Sequence, residues 1–432
     1  MMGKAVGRAS KLFYTGFNLE ERVPAEHPLR RVAEAIDFRF VRARVAGRYG
    51  VNGNESVDPT LILKLLFLAF HENVRGEREL MRQLPLRLDW MWFCGLDLDS
   101  DIPDHSVLSK ARRRWGLEVF EAVFARVLDQ CVQAGLVEGK TVYADSTVLK
   151  ADASVESRVP RTLWRQLEQG LDRPGEHDDG PSSAPPSSAS GSAPARTPPP
   201  PEDTQELPAP PVGKFNAGSV SATDPDAATT RRRGRGVVLG YRDHCLVDGR
   251  RGVVVATIAT PADYDDSTML TPLLDKRSAY LGDDPDNAVA DSAYGTMENV
   301  AKMRERGIRP YLKPRPGSKG LGGWLERMPE ECDPEVTLRL MRRRLHTAEG
   351  RFAEAHVRHD HRRCRWRRRW RVQVQCYLVA AVQNIKKLVK WTSPKAAAAR
   401  AACLWSLLNV GPHPRHPRVL APEPALAVAT IL

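Results

Sequence analysis

Residues 140–150, with the sequence KTVYADSTVLK, decide the fold of this chain. β-branched and aromatic side chains run through the stretch, as in a buried strand, and Asp145 is the one acid within it. A carboxylate inside an apolar strand is costly unless a cation or a hydrogen-bond donor satisfies it. Asp145 therefore either bonds a backbone amide at a strand end or belongs to a functional site that later residues complete.

Two later segments supply acids that match Asp145. Asp291 ends the short apolar stretch AVAD of residues 288–291, and Glu349 lies in a long basic helix predicted for residues 334–360. Because a helix is predicted to follow Asp291, a helix N-cap is the alternative role for this acid. Glu354 lies about 140° around the helix from Glu349, so we expect it to face another surface and to form an ordinary ion pair.

The overall charge favours a polyanionic partner. The chain of 432 residues has a formal net charge of +12 and a pI of about 9.5, which points to nucleic acid before an anionic membrane surface. The alternative is a merely basic protein. The seven cysteines are scattered without a C-x-x-C pair, so a reduced, cytoplasmic protein is expected. No apolar run is long enough to predict a membrane span.

Helical patterns fill the first third of the chain. Apolar residues recur at helical spacing, and Asp58 followed by a proline is typical of a helix start. We therefore predict that residues 1–135 form an all-α domain for DNA binding or dimerisation. A helix, a tight turn and a basic helix resemble a helix-turn-helix, and a plain helical bundle for dimerisation is the alternative. The predicted helices cover residues 28–49, 58–74, 77–84 and 105–135.

Two segments have the composition of disordered chain. Pro, Ser and Ala dominate the middle of the sequence, so a disordered insertion with polyproline II character is predicted at about residues 160–230. A basic cluster at 231–235, RRRGR, closes it. The Ala/Pro-rich tail at 393–432 is expected to be mobile.

The remaining elements predict an α/β catalytic domain over residues 136–392. Three strands, a helix, a strand, a helix, a strand and two helices follow one another, which matches a ribonuclease-H-like fold with a mixed five-stranded sheet and flanking helices. Its first and fourth strands are neighbours, so Asp145 and Asp291 would face one cleft that a later helix reaches with Glu349. The predicted elements are strands 140–150, 237–247, 252–260, 288–290 and 309–313, and helices 266–278, 297–306, 334–360 and 371–391.

Three converging carboxylates repel one another unless hard cations lie between them. Two Mg²⁺ or Mn²⁺ ions suit such oxygen ligands and also accept phosphate oxygens. We therefore expect a site for in-line displacement at phosphorus.

Eight segments of the chain follow one another in a recognisable order, at 58–84, 101–116, 142–154, 221–227, 240–248, 289–295, 348–363 and 374–388. Together they resemble the DDE transposases of bacterial insertion sequences that have a helical N-terminal domain. The resemblance implies a metal-dependent enzyme that cleaves and transfers the ends of its own element. It also implies double-stranded DNA partners (terminal inverted repeats and target DNA), a homodimer or higher oligomer, and catalytic and metal-binding roles for Asp145, Asp291 and Glu349.

Basic residues in three places are predicted to contact DNA. The densest run is 358–371, RHDHRRCRWRRRWR, where tryptophans between the arginines permit stacking on unpaired bases; a solvated charged face is the alternative. His356 stands where the family often has a lysine. A decayed transposase that only binds DNA, or a nuclease on the same fold, therefore stays open. The predicted DNA contacts are Arg112, Arg113, Arg114, Arg231, Arg232, Arg233, His356, Arg362, Arg363, Arg365, Trp366, Arg367, Arg368 and Arg369.

Overall fold

The computed structural model describes Met2 and residues 18–50, 55–170, 216–232, 236–313 and 332–393. The middle of the predicted insertion, residues 171–215, lies outside these ranges, as does the tail from 394 onward. Regular structure reaches into both ends of the predicted insertion, because residues 161–170 form a helix and residues 219–221 and 228–232 form strands.

The helical N-terminal region is confirmed. Asp58 accepts a hydrogen bond from the Thr60 amide, and Pro59 occupies the first helical position, as the sequence predicts. The helix over Leu88–Cys94, which the sequence analysis did not predict, buries a Trp-Met-Trp-Phe run and ends at Gly95 with φ +80°. The helices are α1 Leu19–Arg22, α2 Pro28–Ala35, α3 Phe40–Val45, α4 Pro59–His71, α5 Glu77–Gln83, α6 Leu88–Cys94 and α7 Ser106–Gln133, with 3₁₀ turns at Ala46–Arg48 and Leu84–Leu86.

The mixed sheet is confirmed and has one strand more than predicted. The strands are β1 Thr141–Lys150, β2 Arg158–Pro160, β3 Ser219–Ser221, β4 Ala228–Arg232, β5 Gly236–Asp248, β6 Val254–Pro261, β7 Asn287–Ala290 and β8 Arg309–Leu312. β1 pairs antiparallel with β5, and β5 pairs antiparallel with β6. On its other side β1 pairs parallel with β7, which pairs parallel with β8. β4 pairs with the start of β5, and β2 pairs with β3 in a separate ribbon.

The later helices are α8 Arg161–Gly170, α9 Leu270–Leu281, α10 Met297–Glu305, α11 Pro334–Arg344, α12 Gly350–Arg358 and α13 Arg369–Thr392, with 3₁₀ turns at Val155–Ser157 and Asp266–Met269. The single helix predicted for residues 334–360 is wrong in one respect. A π-helical turn over Leu345–Glu349 separates α11 from α12. The hydrophobic pattern of a sequence does not reveal a π turn, because it adds only one residue to the helical repeat.

The C-terminal helix α13 joins the two halves of the molecule. It packs on β6 on one side and on α7 of the helical region on the other. One hydrophobic cluster includes Leu29 and Phe120 from the helical region, Val254 from the sheet and Val379 from α13. The helical region and the sheet therefore share one core.

Gly240 sets how closely β1 and β5 approach each other. A Cβ at this position would lie 2.0 Å from the carbonyl oxygen of Leu149 in β1. Only glycine fits there without separating the strands, because strand backbones cannot move aside as side chains do. The placement of Asp145, which pairs with Cys245 in the same ladder, depends on this contact.

Two further predictions concern membranes and cysteines. Within the part of the chain that the structure describes, no helix is both long and apolar enough to cross a bilayer. The six cysteines in the described ranges are all free and buried.

Candidate active site

Neighbouring parallel strands bring Asp145 and Asp291 to the same face of the sheet. Tyr143 of β1 and Val289 of β7 pair in register. Each acid lies two residues beyond its member of that pair, and side chains two residues apart along a strand point the same way. The predicted adjacency of the first and fourth strands is therefore confirmed.

Each of these two aspartates has one oxygen bonded to nearby backbone. Asp145 Oδ1 accepts from the Ser146 amide at 2.9 Å, and Asp291 Oδ1 accepts from the Ala293 amide at 2.9 Å. The alternative of a helix N-cap for Asp291 is wrong, because Thr296 caps α10. Both acids keep their Oδ2 atoms directed toward a third element of the fold.

That third element is the junction between α11, which ends at Arg344, and the π turn, which ends at Glu349. Ala348 packs into a cluster with Tyr143 and Val289, so the turn lies over the face that carries the two aspartates. The side chain of Glu349 is 51% exposed, and a Cβ at Gly350 would meet no atom within 4 Å. The acid therefore stands at an open side of the site.

The guanidinium of Arg344 lies among all three acids. Its Nη1 is 3.3 Å from Asp145 Oδ2, and its Nη2 is 3.1 Å from Glu349 Oε1 and 4.0 Å from Asp291 Oδ2. The three predicted catalytic acids, from three separate elements, thus lie around one charged group. In the sequence, Arg344 is only one residue of a predicted basic helix. Its signal is the arginine run at 342–344, which ends five residues before Glu349.

Burial changes the protonation of Asp145. Its side chain is 13% exposed, and desolvation raises its pKa to about 6, although Arg344 opposes the shift. Asp291 and Glu349 contribute smaller increases as like charges. A cation that binds next to Asp145 removes this penalty, because it favours the ionised carboxylate.

A buried network holds α12, which begins directly after Glu349, against the sheet. Arg351 Nη1 lies 2.8 Å from Asp243 Oδ2 on β5, and both side chains are almost wholly buried. His361 Nε2 lies 2.9 Å from the same oxygen, and Thr257 donates to Asp243 Oδ1. Burial alone would raise the pKa of Asp243, but Arg351 and His361 outweigh it and hold the pKa well below its usual range. Sequence inspection missed this network.

Asp243, His361 and Cys376 form a second set of possible metal ligands, with ligand atoms within 4.8 Å of one another. We assign this set a structural role. The oxygens of Asp243 already accept bonds from Arg351, His361 and Thr257, so a cation there would face a buried guanidinium.

The residues around the three acids suit divalent metal ions. The donors are carboxylate oxygens, which Mg²⁺ and Mn²⁺ prefer, and each aspartate is already oriented by a backbone amide. Asp145, Asp291 and Glu349 are therefore the residues that would hold the ions. All three lie in described ranges, but their ligand oxygens do not all lie within 4.8 Å of one another.

His356, which is part of α12, lies beside the acids. Its Nε2 is 3.2 Å from the hydroxyl of Thr147, which follows Asp145 by two residues on β1. The imidazole also stacks against Phe352, with ring centroids 6.3 Å apart. This placement brings His356 to the edge of the site.

The predicted DNA contacts fall into groups that differ in exposure. The side chains of Arg231, Arg362 and Arg367 are exposed, whereas Arg112 is buried. Arg233 and the side chain of Arg232 lie outside the described residues. Partly buried members are Arg113, Arg114, His356, Arg363, Arg365, Trp366, Arg368 and Arg369.

Three of these residues join the helical region to the catalytic domain. Arg365 donates to the carbonyls of Ala69 and Val74 at the end of α4. Trp366 packs edge-on against Phe70, and the Arg112 guanidinium lies 4.0 Å from the centre of the Trp366 ring. In this arrangement the three side chains pack against one another and against α4 at an internal interface.

Comparison with known protein families agrees with this geometry. The transposase domain family DUF772 matches residues 17–114, which cover the helical region. The transposase DDE domain family matches residues 203–385, which include Asp291 and Glu349 but not Asp145. Searches of curated proteins and of solved structures returned no significant match. Two family matches in the expected order, on a ribonuclease-H-like sheet, show that the chain belongs to the DDE transposases of insertion sequences.

Proposed function

We propose that this transposase cleaves and joins DNA at the ends of its own insertion sequence, with two Mg²⁺ or Mn²⁺ ions held by Asp145, Asp291 and Glu349. The observation that carries the proposal is the convergence of the three acids within 4.0 Å of one guanidinium. The acids lie 146 and 58 positions apart in the sequence, so it is the fold that brings them together.

Each acid has a distinct part in the proposed reaction. Bound Mg²⁺ or Mn²⁺ would stabilise the charge that develops on the phosphate oxygens during in-line displacement. Asp145 and Asp291 stand on paired strands and define the floor of the site. Glu349 lies at the open side, where the scissile phosphate of a DNA end would approach.

Exposed basic residues near the end of β1 are proposed to bind the DNA backbone. Arg362 and Arg367 are exposed, and the carbonyl of Arg362 accepts from the amide of Lys150 at the end of β1. Lys150, which the sequence analysis did not select, is also exposed and adds to this surface. We propose terminal inverted repeats and target DNA as the ligands, bound by a homodimer or higher oligomer.

The test is a cleavage and joining assay on linear DNA that carries the flanks of the coding region. Asp145→Asn, Asp291→Asn and Glu349→Gln are each expected to lower the cleavage rate by about a thousandfold or more in Mg²⁺ or Mn²⁺. Glu354→Gln is the matched control on the same helix. Glu354 pairs with Lys386, as the sequence analysis expected, and its substitution should leave cleavage intact.

Two outcomes would redirect the proposal. If the wild-type protein shifts the DNA in a gel but cuts nothing in Mn²⁺, the chain is a DNA-binding protein only. If it cuts but never joins a 3′-hydroxyl end to target DNA, it is a nuclease on the same fold.

A further inference from the structure

We propose that Arg344 competes with divalent cations for the three acids, so that metal binds only when the guanidinium leaves. The inference rests on the proposed function, because it concerns the metal-binding step of that reaction. It assigns the arginine a positioning role: it holds the carboxylates together and sets how tightly they bind metal.

The contacts of Arg344 are those of an exchangeable cation. Among the described residues, its side-chain ion pairs all go to Asp145, Asp291 and Glu349. Its Nη1 is buried yet makes no hydrogen bond, although Asp145 Oδ2 is 3.3 Å away. Only the Nη2 bond to Glu349 is directed. Charge attraction therefore holds most of the guanidinium, and a divalent ion attracts the same oxygens more strongly.

The π turn places Arg344 and Glu349 on one side of the helix. Five residues of α-helix would turn their side chains about 140° apart. In a π turn the backbone hydrogen bonds run from i to i+5, so a spacing of five residues brings the two side chains toward the same side. The turn over Leu345–Glu349 spans the interval between the two residues. The local irregularity thus aims the arginine at the acids.

Arg344 and a metal pair cannot share these acids. A divalent ion binds carboxylate oxygens at metal–oxygen distances of about 2.0–2.6 Å. In the structure, oxygens of Asp291 and Glu349 lie 3.1–4.0 Å from the Arg344 guanidinium, which occupies the space between the acids. The arginine is only 8% exposed, so it fills space between the acids. An ion among them would also meet a like charge. Metal binding therefore requires the side chain to withdraw and the carboxylates to close in.

Competition of this kind lowers the apparent metal affinity in proportion to the fraction of molecules in which the site is accessible. The test uses the full chain without DNA and measures Mn²⁺ affinity by calorimetry and by the electron paramagnetic resonance of free Mn²⁺. Arg344→Gln removes the charge, and we expect it to bind Mn²⁺ about tenfold more tightly than the wild type. Without metal, Arg344→Gln should also melt at a lower temperature than the wild type. Added Mn²⁺ should raise its melting temperature by more than that of the wild type.

Arg343→Gln is the matched control, because Arg343 is an exposed neighbour that donates to the carbonyl of Gly249. Its Mn²⁺ affinity should equal that of the wild type. Arg344→Lys keeps the charge but lacks the planar fork, and we expect a smaller gain in affinity. This second variant serves if Arg344→Gln does not fold.

Three results would overturn the inference. Equal or weaker Mn²⁺ binding in Arg344→Gln, with binding that Asp145→Asn abolishes, would show that the arginine does not compete and would leave the proposed function standing. If only Arg344→Lys folds, a Mn²⁺ affinity equal to that of the wild type would likewise show that the arginine does not compete. No saturable Mn²⁺ binding in any variant would overturn both proposals.

Discussion

Asp145 illustrates how a functional residue stands out against its surroundings. Asp243 is more deeply buried, but Arg351, His361 and Thr257 satisfy its oxygens, and its pKa is held low. Asp145 has one backbone bond and a shared arginine, and burial raises its pKa. A buried acid with incomplete compensation is typical of a site that a cation completes.

The raised pKa of Asp145 predicts how stability changes with pH. Its pKa rises from 3.8 to about 6 on folding, so the folded protein holds this proton more tightly than the unfolded chain. As pH rises from about 4 to about 6, the wild type should therefore lose about 1–3 kcal/mol of unfolding free energy relative to Asp145→Asn. Urea denaturation in metal-free buffer across this range measures the difference.

Added Mn²⁺ provides the control for this pH effect. Above pH 6, saturating Mn²⁺ should make the wild type more stable than Asp145→Asn, because the aspartate binds the metal ion and asparagine binds it poorly. Identical pH profiles for the two proteins in metal-free buffer would contradict the prediction.

The sequence predicts individual residues of this site unequally. Asp145 and Asp291 could be found because each interrupts an apolar strand, and Glu349 because a predicted helix carries it to the same cleft. Arg344 could not, since its approach to Glu349 depends on a π turn that leaves no mark on the hydrophobic pattern. Contacts that depend on one extra residue in a helix are decided by packing.

At the scale of elements, the position of Glu349 depends on how α12 is fixed to the sheet. Arg351 follows Glu349 by two residues and is paired with Asp243 on β5, while β5 also pairs with β1 beside Asp145. The pair therefore ties the helix of one acid to the strand next to another. The sequence analysis predicted both elements, but it did not predict which charged residues join them, because partners 108 positions apart leave no local pattern.

Breaking this buried pair should destabilise the protein strongly. Asp243→Ala leaves the Arg351 guanidinium buried without its partner, and we expect a loss of about 3–5 kcal/mol in the free energy of unfolding. Asp243→Leu combined with Arg351→Met removes both charges and should recover most of that loss. A urea-denaturation double-mutant cycle measures the coupling. Additive losses in the double variant would show that the two residues act independently.

At the scale of the whole molecule, the helical region and the mixed sheet share one core. The core of the helical region continues through α13 into the sheet, and the arginine-rich segment after α12 contributes to the same contact. The predicted fold class is confirmed in both halves. The members of the arginine run differ in environment, because Arg362 is exposed whereas Arg365 donates to the Ala69 carbonyl of α4. A charge run in a sequence does not show which of its members the fold turns inward.

This difference predicts that two arginines three positions apart have different roles, Arg365 in stability and Arg362 in DNA binding. Arg365 donates to the carbonyls of Ala69 in α4 and of Val74 just after it, and it stacks on Phe70. Arg365→Ala should therefore lower the unfolding free energy by about 2–3 kcal/mol. Arg362→Ala should change it by less than about 0.5 kcal/mol. If Arg362 contacts a phosphate, its loss should reduce the slope of log affinity against log salt by about one.

Denaturant unfolding and DNA titrations at several salt concentrations measure both effects in the same pair of variants. The slope for Arg365→Ala should stay near the wild-type value, because a residue that binds α4 carbonyls releases no counterions from DNA. A lowered slope in Arg365→Ala with unchanged stability would mean that the interface opens on DNA. The arginine run would then act as one nucleic-acid surface, as its composition alone suggests.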